Sequence, residues 1–150
     1  MDKMTLPNEI LLGEVAAVLR EGREAVIIPT GGSMLPFIHG GRDRVVLRAC
    51  PDAAVGDIVL VCIGKQYLLH RVIARDGDAL TLMGDGNLAG TERCRIADVV
   101  GVVTEIIRPS GRRIRPGKGR VWGLLKPVRR YLLGIYRRVL SRHPDHDRQR

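Results

Sequence analysis

Aromatic side chains are scarce: one Trp, three Tyr and one Phe in 150 residues. The core must therefore be aliphatic. Runs such as Val26-Ile27-Ile28 and Ile58-Val59-Leu60-Val61 supply side chains that suit strands. Few aromatics also mean few platforms for stacking bases, and no helix-turn-helix pattern is recognisable, so nucleic acid is disfavoured as a partner. Cysteine is scarce too. Cys50, Cys62 and Cys94 are widely spaced, with no CxxC pair and no Cys/His cluster at zinc-like spacing. Neither a disulfide framework nor a metal site is expected, no cofactor is called for, and an odd count of thiols fits a reducing compartment. No apolar stretch approaches the roughly 20 residues of a spanning helix. Met1-Asp2-Lys3-Met4 opens no secretory signal. The expectation is a cytoplasmic chain, or one peripheral to the inner face of the membrane.

Acidic residues are scarce in one region only. Residues 1–110 hold 12 Lys/Arg against 14 Asp/Glu, a net charge of −2, whereas residues 111–150 hold 13 against 2, a net +11. The body is near neutral and the C-terminal tail carries the excess, which points to an anionic partner for the tail and says nothing about chemistry in the body. Hydrophobic residues make up 45% of the chain, a globular composition, and the length suffices for one domain with a real core.

Ile10, Leu11, Val15, Val18 and Leu19 recur at helical spacing, which predicts a helix over Asn8–Arg20, with Pro7 to start it and Gly22 to end it. The pattern then changes to short strands: Ala25–Thr30, Arg44–Arg48, Asp57–Ile63, Gln66–Ala74, Ala79–Met83 and Val99–Ile107. Gly64-Lys65, Asp76-Gly77-Asp78 and Gly84–Asn87 supply the turns between them. Strands punctuated about every ten residues predict a mainly β domain, a barrel or sandwich, over 1–108 with its helix at about 8–21. Pro109–Gly119 reads as a linker. Lys126–Arg142 reads as a second helix, with Val128, Leu132, Ile135, Tyr136 and Val139 on an apolar face and Lys126, Arg129, Arg130 and Arg137 mostly opposite. Such a basic amphipathic helix either lies in an anionic membrane interface or packs on the domain with its charges in water. Residues 109–150 thus form a basic linker, helix and polar end.

Three segments carry chemistry. Gly31-Gly32-Ser33-Met34-Leu35-Pro36 puts a hydroxyl on a tight loop whose glycines permit positive φ and close approach of another chain. Backbone N–H groups around such a turn are suited to a developing oxyanion. Leu68-Leu69-His70-Arg71 puts an imidazole on a strand, and a serine hydroxyl needs a base of that kind to lose its proton. Met83-Gly84-Asp85-Gly86-Asn87 is a turn in which Asp85 either shapes the backbone or orients the imidazole. Each segment alone has an ordinary structural explanation. Their order along the chain is what gives them weight.

With Val55-Gly56-Asp57-Ile58-Val59 between the first two, these motifs resemble the catalytic domain of type I signal peptidases, in the superfamily that includes LexA-like self-cleaving repressors. The resemblance spans about Ala25 to Ile107. It implies a signal peptidase-like β-barrel or folded β-ribbon, with Ser33 as nucleophile and His70 as general base. His70-Arg71 resembles the Ser/His variant of archaeal and endoplasmic-reticulum members; Lys65, the nearby lysine, ranks below His70 as base. Asp85 is the expected third catalytic residue. The Asp that those members carry after the Gly-Asp-x-Asn box has no counterpart in Leu88–Arg93, so Glu92 and Asp98 remain open as the acid. The family's spanning anchor is not read here either. The expected substrate is a leader or signal-like peptide or a preprotein, with small residues before the cut, and Ile28, Met34, Leu35 and Phe37 are candidates to line its groove. The other readings are a self-cleaving regulator, and a peptide-binding module of the same fold without catalysis.

Overall fold

The computed structural model describes residues 9–29, 31–86, 90–119, 132–135 and 138, with side chains from Gly13 onward. Helix α1 (Glu9–Arg20) is followed by strands β1 (Ala25–Ile27), β2 (Arg44–Arg48), β3 (Ile58–Ile63), β4 (Gln66–Asp76), β5 (Ala79–Met83), β6 (Glu92–Arg95), β7 (Val99–Ile107) and β8 (Arg113–Ile114). The fold is mainly β. One curled antiparallel sheet has the order β1-β2-β7-β3-β4-β5-β6, and β8 pairs with β7. The Gly64-Lys65 hairpin sets Val59 opposite His70, and β5 then separates β4 from β6.

Both faces of the sheet are covered, which explains why β3 reads as an unbroken apolar run. Ile58 and Leu60 join one cluster with Leu19 of α1, Leu47, Val103, Met34 and Ile38. Val59 and Val61 join the other with Val72, Leu80, Leu82 and Cys94. Each fully buried aliphatic side chain contributes about 1.5–3 kcal/mol relative to an exposed one. Gly101 lets α1 seat closely: a Cβ there would lie 2.8 Å from Leu19 Cδ1 and 2.9 Å from Arg48 O. Gly22, at φ +79°, ends α1, and its N–H donates to Leu19 O at 3.0 Å.

Several elements depart from expectation. β1 stops at Ile27, short of Thr30, which lies outside the described residues. Pro29 has no N–H for a ladder, and its carbonyl accepts the Gly41 N–H at 2.7 Å. β4 continues past Ala74 to Asp76 because a register shift near Val72 lets Arg75 and Asp76 pair with Leu80 and Ala79. Strands β6 and β8 and the 3-10 turn Ile96–Asp98 were not expected. The supposed linker, 109–119, contributes β8 and packs on the body: Lys118 pairs with Asp57, and Gly56 lies tight against Lys118.

Of the expected second helix, residues 132–135 and 138 are helical; the remainder of Lys126–Arg142, together with Pro7, Asn8, Asn87, Trp122 and the polar end at 143–150, lies outside the described residues. On the described turn the buried side chain is Leu133, whereas Leu132 and Ile135, expected on the apolar face, are exposed.

Candidate active site

The loop after β1 is pinned on both sides of Ser33. Met34 and Leu35 are buried, Met34 within the first core cluster, while Ser33 remains partly exposed. The Leu35 N–H donates to Gly32 O at 3.2 Å, and the Phe37 and Ile38 N–H groups both donate to Met34 O at 3.0 Å. Gly31 adopts φ +85°, a conformation that favours glycine. The Gly-Asp turn after β5 locks this loop from outside. The Gly86 N–H donates to Ser33 O at 2.7 Å, and a Cβ on Gly86 would collide with Gly32 O. The first and third motifs therefore meet through backbone.

His70, on β4, is 4% exposed, and its Nδ1 lies 2.8 Å from Glu92 Oε2. Glu92 opens β6, so the pair reaches across β5. A carboxylate can only accept, so Nδ1 donates to Glu92, and in the neutral imidazole that leaves the lone pair on Nε2. Among the described residues no hydrogen bond joins Ser33 Oγ to the imidazole.

Asp85, expected as the third catalytic residue, is ion-paired with Arg71. Both of its oxygens accept from Arg71, Nε to Oδ1 and Nη2 to Oδ2, each at 2.8 Å. Both groups are buried, and this bidentate geometry is what a buried ion pair needs to offset its desolvation. Arg71 Nη1 also donates to Gly56 O at 2.8 Å and to Gly117 O at 2.6 Å, and the guanidinium stands 5.2 Å from the Phe37 ring centroid. One side chain thus ties together the turn before β3, the Gly-Asp turn, the Ser33 loop and the C-terminal segment. Its neighbour in the chain, His70, is held by Glu92. Of the acids left open by the sequence, Glu92 is the one that meets His70 at Nδ1. Asp98 caps the 3-10 turn by accepting the Arg95 N–H at 2.8 Å.

Lys65 is exposed at the hairpin tip. Of the proposed groove residues, Ile28 is exposed, Met34 and Leu35 are buried, and Phe37 lies beside Arg71. Burial raises the Cys50 and Cys94 thiols above their ordinary pKa, with smaller Coulombic contributions from nearby Asp residues. No group of three or more His, Cys, Asp or Glu among the described residues is arranged to hold a metal ion. The role of Gly117 was missed. Its only signal was the Pro/Gly spacing of 116–119, which also suits a linker.

No protein-family model matches this chain, and a search of curated proteins finds no match.

Proposed function

We infer that this protein is a serine endopeptidase. The observation that carries the reading is the buried His70 with its Nδ1 2.8 Å from Glu92 Oε2. That arrangement fixes one tautomer and leaves Nε2 as a base. The Ser33 hydroxyl is the nucleophile by the resemblance of its motif, and the anchoring of its loop to Gly86 supports the assignment.

In the proposed reaction Ser33 Oγ bonds the carbonyl carbon of a peptide while its proton passes to His70 Nε2. Glu92 stabilises the imidazolium through Nδ1–H. The tetrahedral intermediate collapses, the amine leaves with the proton from His70, and an acyl-Ser33 ester remains. Water, deprotonated by His70, then releases the acid and restores the serine. The Ser33 and Met34 N–H groups, which have no hydrogen-bond acceptor among the described residues, are the donors offered to the oxyanion. Ser33 Oγ and Nε2 must close to hydrogen-bond distance when substrate binds, as catalytic contacts often do. Among the described residues strand β1 is a sheet edge leading to the Ser33 loop, so an extended peptide can pair along it, next to exposed Val26 and Ile28. A preference for small residues before the cut follows from the resemblance.

Digestion of a peptide library, with new termini read by mass spectrometry, tests this. Internal cleavage that is lost in Ser33→Ala and in His70→Ala is the expected result. Shortening of the chain itself, abolished by Ser33→Ala, with the library untouched would favour the self-cleaving regulator. A folded wild type that cuts neither would overturn the enzyme reading and leave the peptide-binding module.

A further inference from the structure

The helical turn 132–135 faces two ways. Leu133 is 1% exposed and packs on Leu35, two residues from Ser33, with Phe37 against the pair. Leu132 and Ile135 are 39% and 60% exposed. A helix advances about 100° per residue, so Leu132 and Ile135 share one side and Ile135 is nearly opposite Leu133. Arg138, also helical and exposed, follows Ile135 at the spacing that keeps it on that side. The segment that contains this turn, 111–150, carries the net +11, against −2 for residues 1–110.

A nucleic acid would reward the positive charge but offers nothing to Leu132 and Ile135. A protein interface would take the apolar pair but rarely such a density of like charge. An anionic bilayer takes both, apolar side chains below the headgroups and cations among them. We propose that the outer side of this turn docks on an anionic bilayer. Because Leu133 on the other side is seated on Leu35, docking brings the Ser33 loop to the lipid surface. Upstream, the described part of the segment is also held to the body, where Gly117 O accepts from Arg71 and Lys118 pairs with Asp57. Among the described residues no helix is long and apolar enough to cross a membrane. The proposed contact is peripheral, and its electrostatic part weakens with salt.

The docking step stands without the peptidase reading; only the significance of Ser33 rests on it. Full-length protein is co-sedimented with phosphatidylglycerol vesicles and with phosphatidylcholine vesicles. Binding to the first alone is expected, with release near 1 M salt, where the Debye length is about 3 Å. The double variant Leu132→Ser/Ile135→Ser, checked for folding by circular dichroism, is expected to bind at least about tenfold more weakly. Equal binding by that variant, equal binding to phosphatidylcholine, or displacement from the vesicles by duplex DNA would overturn the proposal. A serine-directed phosphonate with an acyl chain then reads the placement of the loop. Phosphatidylglycerol vesicles should accelerate its labelling of Ser33 relative to a water-soluble analogue, and the double variant should lose that gain. Equal acceleration of both probes would overturn the placement. If neither probe labels the wild type, the peptidase reading falls while sedimentation still decides the docking.

Discussion

Asp85 and Glu92 are both acids beside the same turn of chain, and they answer to different tests. Asp85 holds a buried guanidinium with two bonds. Asp85→Asn leaves Arg71 buried without its counter-charge, and the expected cost is about 3–5 kcal/mol in urea unfolding. Glu92 is a third exposed at its side chain and holds one bond to an imidazole, so Glu92→Gln should unfold within about 1 kcal/mol of the wild type. Gly86→Ala sets a methyl group against Gly32 O, which is backbone and must move. A loss of about 1–3 kcal/mol is expected, together with slower reaction at Ser33. At the thiols, the raised pKa means less thiolate at neutral pH. Cys50 and Cys94 should therefore alkylate slowly with iodoacetamide, the rate rising as pH passes the shifted values, when followed by intact mass. Rapid labelling of both at neutral pH in folded protein would contradict their burial.

Among the elements, β2, β3, β5 and β7 were legible at nearly their observed bounds because each is a run of β-branched or aliphatic residues between Gly or Asp turns. β6 was not. Glu92-Arg93-Cys94-Arg95 has only Cys94 facing the core, and a charged edge strand of four residues carries no alternation long enough to read. That gap hid the partner of His70: Glu92 could be named as a neighbour in sequence, but only the β5–β6 pairing sets it across from β4. β8 and Gly117 were hidden for a related reason, since Pro, Gly and Arg suit a linker and an adhering strap equally. Likewise the sequence spacing groups Leu132 and Ile135 with other apolar residues, yet the site that buries a side chain is offered to Leu133 by Leu35. Leu133→Ala should cost about 2 kcal/mol, the low end for a truncated buried Leu, because its cluster is small. Differential scanning calorimetry checks this, and an unchanged unfolding temperature would show that the turn does not rest on the Ser33 loop.

For the molecule as a whole, a near-neutral sheet domain carries its candidate chemistry where three separate segments converge on β4, and a basic C-terminal segment is fastened to the same place through Arg71 and Leu35. The motifs that resemble signal peptidases named Ser33, His70 and the Gly-Asp turn, and the fold brings the turn to the Ser33 loop and an acid to His70. In the proposed reaction Ser33 is made nucleophilic by an imidazole that Glu92 holds. The direct test is the rate at which a fluorophosphonate probe modifies Ser33, measured by mass spectrometry for wild type, Ser33→Ala and Glu92→Gln under one set of conditions. Labelling of the wild type at Ser33 and none in Ser33→Ala is expected. In folded Glu92→Gln the expected rate is lower by about 10²-fold or more, within the range for a disabled general base. A folded wild type that is not labelled at Ser33, or a Glu92→Gln variant labelled at the wild-type rate, would contradict it.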